Sequence, residues 1–516
     1  MKGGNVKSRL SIRGTSSQTT LILLLCSLAV LAGCAGGTAP ATSSLPDPTA
    51  LDSDLRRLIE IHELTGDPSH GRVFPSVNDP LVQLGKQLFF TRALSVNQDT
   101  ACASCHLPTL GGGDGLSLPI GVNADDPNLI GPGRTHPGGA PLVPRNSPTT
   151  FNTVMWDQVL FHDGRVESMG KTPGANGNDG HGIRTPDVAP GQADPNAGRD
   201  LVIAQSRFPV TAEAEMRGFE DGAEADNASL RDYLASRLSG HAVGDAESYQ
   251  DRAAQLSDAD YWREAFAAVY GPADDPAQLI TEQRIAEALG AYECSQVFVN
   301  TPWRAYVQGD DDALSEAAKR GAWLFLTDIE DGGAGCAACH TGDFFTDEQF
   351  HVLAVPQIGF GKGDGPDGSA DFGRFRETGE WQDLYAFRTP SLVNVVATGP
   401  YGHDGAYTTL EGMIRHHFDP ATAFASYDVG QLDPLIQTER MAFNTRLALI
   451  QQQLLQATDE ETALPARLSD DHLADMVAFI HALTDPCVLD ATCLQPWMPG
   501  DSGDPNGLQP TVLATR

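Results

Sequence analysis

Cys102-Ala103-Ser104-Cys105-His106 and Cys336-Ala337-Ala338-Cys339-His340 are two copies of one pattern, CxxCH, and everything else in the chain is read outward from them. Two thiols three positions apart can each add to a vinyl group of one porphyrin while the next residue offers its imidazole to the iron, so the pattern is the attachment signature of haem c. Cys102, Cys105, Cys336 and Cys339 are then thioether anchors, and His106 and His340 are proximal ligands of two covalently bound haems. A redox dithiol beside a stray histidine, or half of a zinc site, would account for one copy. Two intact copies more than 200 residues apart fit neither.

A repeat surrounds the motifs. Gly85-Lys86-Gln87-Leu88-Phe89 precedes the first as Gly321-Ala322-Trp323-Leu324-Phe325 precedes the second. Downstream, Ser147 to Asn152 answers Thr389 to Asn394, and Phe161-His162-Asp163-Gly164 answers Gly402-His403-Asp404-Gly405. Asp79-Pro80 opens a helix with a cap and a first-turn proline, and helical spacing recurs in Ile285 to Tyr292, after Ser315 and after Ser469. No alternating strand pattern of similar length occurs. The expected fold is mainly α: two cytochrome c-like haem domains related by internal duplication, with long irregular loops. The expected organisation is an amino-terminal haem domain over 51–275, with a Gly/Pro/Asn/Asp-rich inserted loop at 170–200, a carboxy-terminal haem domain over 276–484, and an irregular tail over 485–516.

Lys2, Lys7, Arg9 and Arg13 precede the apolar run Leu21 to Leu31, which is too short for a mature membrane span. The run ends in Leu31-Ala32-Gly33-Cys34, similar to a bacterial lipobox, so residues 1–33 read as a lipoprotein signal peptide and Cys34 as the lipidated residue. Residues 34–50 read as a flexible tether. Ala35, where an aspartate would retain the protein at the inner membrane, points to a lipid-anchored periplasmic protein of the outer membrane. Lys+Arg 34 against Asp+Glu 68 gives a net charge of -34, which argues against nucleic acid and is compatible with a basic redox partner. Cys294 reads as a buried thiol, while Cys487 and Cys493 form either a local disulfide or a free pair.

With these residues in place, the chain resembles the bacterial diheme cytochrome c peroxidases and their MauG-type relatives over about residues 78–169, 201–217 and 280–483. The resemblance rests on Leu84 to Phe90, the two haem motifs, Arg145-Asn146-Ser147-Pro148-Thr149, Phe387 to Leu392 and Pro400-Tyr401-Gly402-His403-Asp404-Gly405. It implies a peroxidatic haem at His106 and an electron-storing haem at His340. It also implies hydrogen peroxide as substrate, electrons from a small cytochrome c or cupredoxin, and a possible homodimer. Within Gln205 to Met216, it implies Glu215 as acid/base catalyst and Gln205 as its pocket neighbour. A calcium ion is implied at the Asn146 side chain and the carbonyls of Thr398 and Pro400.

Three positions depart from that family. Its methionine or tyrosine sixth ligand falls at His417. Thr408-Thr409-Leu410-Glu411 reads as a capping box for a helix that puts Leu410, Met413 and His417 on one face, with Met413 a competing ligand and His416 pointing elsewhere. The tryptophan between the haems is replaced by His162, with Trp156 nearby as either a substitute relay or a core aromatic. The loop histidine that closes the peroxidatic iron at rest has only His136 as a counterpart, displaced from the usual position. The family function expected is reduction of hydrogen peroxide. The alternatives are a MauG-type oxidase of a protein or organic substrate and a non-enzymatic diheme electron carrier.

Overall fold

Each haem motif follows a helix that meets a second helix at a glycine. The helix Pro80–Phe90 begins with Asp79 at its N-cap position and a proline in the first turn. A Cβ on Gly85 would lie 1.8 Å from the carbonyl oxygen of Ala288, so only glycine admits the backbone of Glu282–Cys294 at this crossing. The second motif follows Glu316–Leu326, capped by Ser315, and a Cβ on Gly321 would lie 2.0 Å from the carbonyl of Asp475 in the helix Asp470–Ala482. Aromatic pairs fasten each crossing, Phe89 with Tyr292 at 4.8 Å and Phe325 with Phe479 at 5.2 Å between ring centroids.

The computed structural model describes residues 50–219, 226–240, 259–458, 469–500 and 503–513. The signal peptide, Cys34 and nearly all of the tether lie outside the described residues. The fold is mainly α, and among the described residues no helix is long and apolar enough to cross a membrane.

Two main cores follow from the crossings. The first gathers Leu88, Phe89, Leu289 and Tyr292 with Trp262 and Phe266 of the helix Ala259–Tyr270 and Leu234 of Asn227–Ser239. Burying each of these large side chains contributes about 1.5–3 kcal/mol. The second gathers Trp303, Tyr306, Phe325, Phe345 and Phe479. Packing does not follow chain order: Leu51–Ile61 adds Leu51, Leu55 and Leu58 to the second core, whereas Glu282–Cys294 belongs to the first.

The tail also returns to the first core, where Leu508 is buried and Tyr292 donates its hydroxyl to the Trp497 carbonyl. It carries a Cys487–Cys493 disulfide and a two-residue strand, Thr511–Val512, parallel to Leu129–Ile130. The other strands among the described residues are two or three residues long: Val159–Leu160, Val166–Ser168 and Ile183–Arg184 form one antiparallel sheet, and Phe350–His351 pairs with Phe387–Arg388. Residues 170–200 are largely irregular but anchored, since the Asp157 carboxylate accepts the backbone N–H groups of Gly174 and Asn176. Cys294 is buried as a free thiol.

The helix Leu410–Phe418 is present, but its cap differs from the sequence expectation. Thr409, not Thr408, is the N-cap and accepts the Gly412 N–H. Thr408 instead turns to Gln431, so Glu411 closes no capping box.

Candidate active site

The two CxxCH histidines are prepared in the same way. Each motif forms a single 3-10 turn that ends beside its histidine. His106 directs Nδ1 to the carbonyl of Gly112 at 3.1 Å, and His340 directs Nδ1 to the carbonyl of Phe345 at 3.1 Å. An Nδ1–H held by a carbonyl fixes the tautomer in which Nε2 carries the lone pair, as a metal ligand requires. Burial holds both imidazoles in the neutral form; for His340 burial, reinforced by the facing His417, lowers the pKa to about 4.

Across from His340 stands His417, with ring centroids 6.3 Å apart. Its Nδ1 is likewise engaged, by the Met413 carbonyl at 2.9 Å. Two metal–nitrogen bonds of about 2 Å, plus the distance of about 1.1 Å from ring nitrogen to centroid on each side, separate coaxial imidazoles by roughly 6 Å. The pair therefore fits one iron between them. His416 is spent elsewhere: its Nδ1 meets the Tyr407 hydroxyl at 2.8 Å and its Nε2 the Leu353 carbonyl at 2.9 Å. Met413 shares the cavity wall with His417.

A cavity of about 390 Å³ runs from Cys102 and His106 to Cys336, Cys339, His340 and His417, a size typical of a cofactor site. A smaller one of about 90 Å³ adjoins Cys102, Cys105 and His106 and is lined by Gln205, Pro209 and Glu215. Among the described residues its imidazoles are His106 and His162, and the Nε2 of His162 is engaged by the Asn146 carbonyl. His136 lines neither cavity, and its Nδ1 accepts the Gly138 N–H. The thiols, ligand nitrogens and apolar walls fit two haems, with Glu215 on the lining of the cavity at His106.

Glu215 sits in a π-helical turn, Glu213–Arg217, a local form often found where a side chain is aimed at a site. Burial raises its pKa above the ordinary 4.5, against the opposing pull of Arg165, Lys362 and Arg145. Gln205 lies on the preceding short helix, Leu201–Ser206, and borders both cavities.

His162 borders both cavities as well. Its Nε2 meets the Asn146 carbonyl at 3.0 Å, and burial, with Arg145 and Arg388 nearby, lowers its pKa to about 4, so it is neutral. Trp156 is on the wall of the larger cavity, with the Arg388 guanidinium 3.5 Å above its ring and Phe344 edge-on at 5.3 Å. A cation on the π face opposes removal of an electron from the indole. Asn146, Thr398 and Pro400 all line the larger cavity. The Asn146 amide nitrogen donates to the carbonyls of Leu116 and Ser117, which leaves Oδ1 as its side-chain acceptor.

Three residues lay outside the sequence reading. Lys362, from the second half of the chain, lines the first haem's smaller cavity beside Glu215 and Arg165; burial, then Arg165 and Arg145, lower its pKa to about 8. Glu293, one position past the helical pattern, borders the larger cavity near Cys102 and is raised to about 8 by burial. Arg145, quoted only as part of a motif, bridges the halves by gripping Asp163 at 2.6 Å and Asp371 at 2.6 and 2.8 Å.

Residues 79–312 match the sequence profile of the family described as di-haem cytochrome c peroxidase. Over 385 residues the chain is 29% identical to the methylamine utilization protein MauG of Methylorubrum extorquens, covering 74% of this chain and 79% of that one. It is 26% identical to the cytochrome c551 peroxidase of Pseudomonas aeruginosa, covering 69% and 74%. These matches support the diheme cytochrome c peroxidase/MauG family for this chain. It is a haem peroxidase-type oxidoreductase, and the family implies two haem c groups. In fold, the chain is similar to a MauG-like protein associated with microbial copper homeostasis, with a TM-score of 0.51 at 22% identity over 82% of this chain and 95% of that one.

Proposed function

We propose that this protein is a periplasmic diheme cytochrome c peroxidase that reduces hydrogen peroxide to water with electrons from a small cytochrome c or cupredoxin. The observation that carries this reading is the asymmetry of the two sites. His417 faces His340 at 6.3 Å, whereas the space near His106 is bordered by Gln205, Pro209 and Glu215. One site is closed for electron transfer and the other left open for an oxidant.

The haems supply the redox chemistry, H2O2 + 2 e⁻ + 2 H⁺ giving 2 H2O. The chain supplies positioning and proton handling. Glu215 takes the proton from one peroxide oxygen and returns it to the departing one. Its raised pKa keeps it basic enough to accept that proton, and Arg165 and Lys362 keep it ionisable. Gln205 borders the same pocket, and the apolar walls exclude water, which strengthens polar contacts made there. Arg165 and Lys362 also offer cationic charge to the carboxylates of a haem bound there.

The finer assignments belong to the same proposal. Two haem domains related by duplication are supported by the paired glycine crossings at Gly85 and Gly321. Calcium at Asn146, Thr398 and Pro400 is supported by the placement of all three on the lining of the larger cavity. Lipidation at Cys34 with outer-membrane anchoring, and a homodimer, rest on the sequence and the resemblance. The relatives named MauG favour a second reading, an oxidase drawing electrons from a protein or organic substrate.

The test is Glu215→Gln in purified holoprotein, measured with peroxide and a reduced small cytochrome. Peroxide turnover falls about 100-fold with haem content retained. Undiminished turnover removes Glu215 from the chemistry. Faster product formation on a co-purified protein than on peroxide with a cytochrome donor would favour the oxidase.

A further inference from the structure

The Glu215 turn is braced from the far end of the chain. The loop over 116–135 passes directly beneath it: a Cβ on Gly121 would lie 2.2 Å from the Ala214 carbonyl oxygen, 2.6 Å from that of Glu215 and 2.8 Å from the Glu215 Cα. The next residue, Val122, donates its N–H to the Ala214 carbonyl at 3.3 Å. The backbone of this loop is therefore the floor on which the turn rests.

Arg134 fixes the shape of the loop. It is 4% exposed and spends its guanidinium on carbonyls of this loop, with Nε donating to Ile120 at 2.8 Å, Nη2 to Gly121 at 3.2 Å and Nη1 to Leu129 at 2.7 Å. Two weaker contacts reach Asp126 and Pro127. One side chain thus joins the segment touching Glu215 to the segment touching the tail. A guanidinium is suited to this because its five donors lie in a rigid plane.

The tail closes the arrangement. Leu129–Ile130 pairs in parallel with Thr511–Val512, the Thr511 N–H donates to the Asn128 carbonyl at 2.8 Å, and the Gln509 N–H to the Asn128 side-chain oxygen at 3.1 Å. Leu508 is buried in the first core and donates its N–H to the Phe90 carbonyl at 2.7 Å. A continuous set of contacts runs from core to tail strand, to Arg134 loop, to Glu215 turn.

We propose that the carboxy-terminal strand, Arg134 and Gly121 form a clasp that positions the Glu215 carboxyl over the open face of the first haem site, so that these residues act on peroxide cleavage through Glu215 alone. The proposal rests on the catalytic role given to Glu215 above. Displacing a catalytic group by about 1 Å can cost on the order of 100-fold in rate. Gly121→Ala forces such a shift without altering any reacting group. Thr511→Pro removes one hydrogen bond at the exposed end of the clasp.

The experiment is a double-mutant cycle in full-length holoprotein with hydrogen peroxide. G121A lowers kcat about tenfold or more with KM little changed, and T511P lowers it severalfold while speeding amide exchange at Val122. Both losses vanish in the E215Q background, where no carboxylate remains to be misplaced. Losses that add to that of E215Q, or G121A and T511P proteins with wild-type kcat, overturn the clasp while leaving Glu215 in its role. Full turnover by E215Q alone overturns that role first and the clasp with it. Should G121A lose haem or fold poorly, T511P, on an exposed strand, still decides the matter.

Discussion

Replacing Arg145 by methionine removes the cation that ties the two halves of the molecule together beside the first haem site. Its side chain is 6% exposed and makes three short charge-assisted bonds, to Asp163 at 2.6 Å and to Asp371 at 2.6 and 2.8 Å. Asp163 and Asp371 are themselves buried, at 1% and 5%. Methionine fills the aliphatic volume but strands two buried carboxylates, one of which keeps Arg165 at 3.1 Å. Breaking a buried pair from one side costs about 3–5 kcal/mol, and at roughly 2 °C per kcal/mol for a large domain Tm falls by about 6–10 °C.

The loss depends on pH with a definite sign. Arg145 and burial act in opposite senses on both acids, and the guanidinium wins: Asp371 falls to about 2 and Asp163 lower still. Carboxylates depressed in the folded state contribute stability that is complete above their unfolded pKa of about 3.9 and is lost as pH falls through the folded value. The wild-type contribution is therefore complete from about pH 5 upward, and wild type and variant should converge in acid. Differential scanning calorimetry of the holoproteins across pH measures this. The triple variant R145M/D163N/D371N, which leaves no buried charge unpaired in the cluster, should recover part of the loss. A Tm shift of R145M below about 2 °C at pH 7, or no recovery in the triple variant, would refute the reasoning.

His417→Ala should convert the second haem from low spin to high spin in its absorption and electron paramagnetic resonance spectra, and Met413→Leu should not; the reverse result would transfer the ligand role to Met413. Peroxide turnover should fall on the acid side with a midpoint above 4.5, because protonating Glu215 removes the base, and this limb should be absent from E215Q. Chelation with EGTA should lower turnover in wild type and have no further effect in Asn146→Ala, read as steady-state rate before and after calcium is restored.

Sequence spacing alone identified the two CxxCH motifs and the helices that open at Asp79, Ser315 and Ser469, because these depend on neighbours within a few residues. The same local periodicity placed His417 and Met413 on one helical face. It pointed His416 elsewhere but could not name what occupies that ring, Tyr407 and Leu353, the latter a residue 63 positions away.

The motif resemblance pointed to Glu215, while the environment that tunes it was invisible in one dimension. Lys362 reaches it from the second half of the chain, and Gly121 supports it from a loop braced by the tail. Packing order was hidden for the same reason. Leu51–Ile61 joins the second core and Glu282–Cys294 the first because each apolar face is buried where a complementary surface exists, and such surfaces form only once distant segments have met. Attachment chemistry and helix boundaries are thus properties of short stretches of this chain. The surroundings of the two CxxCH histidines, and the charges around them, are set by long-range contacts that only the folded molecule contains.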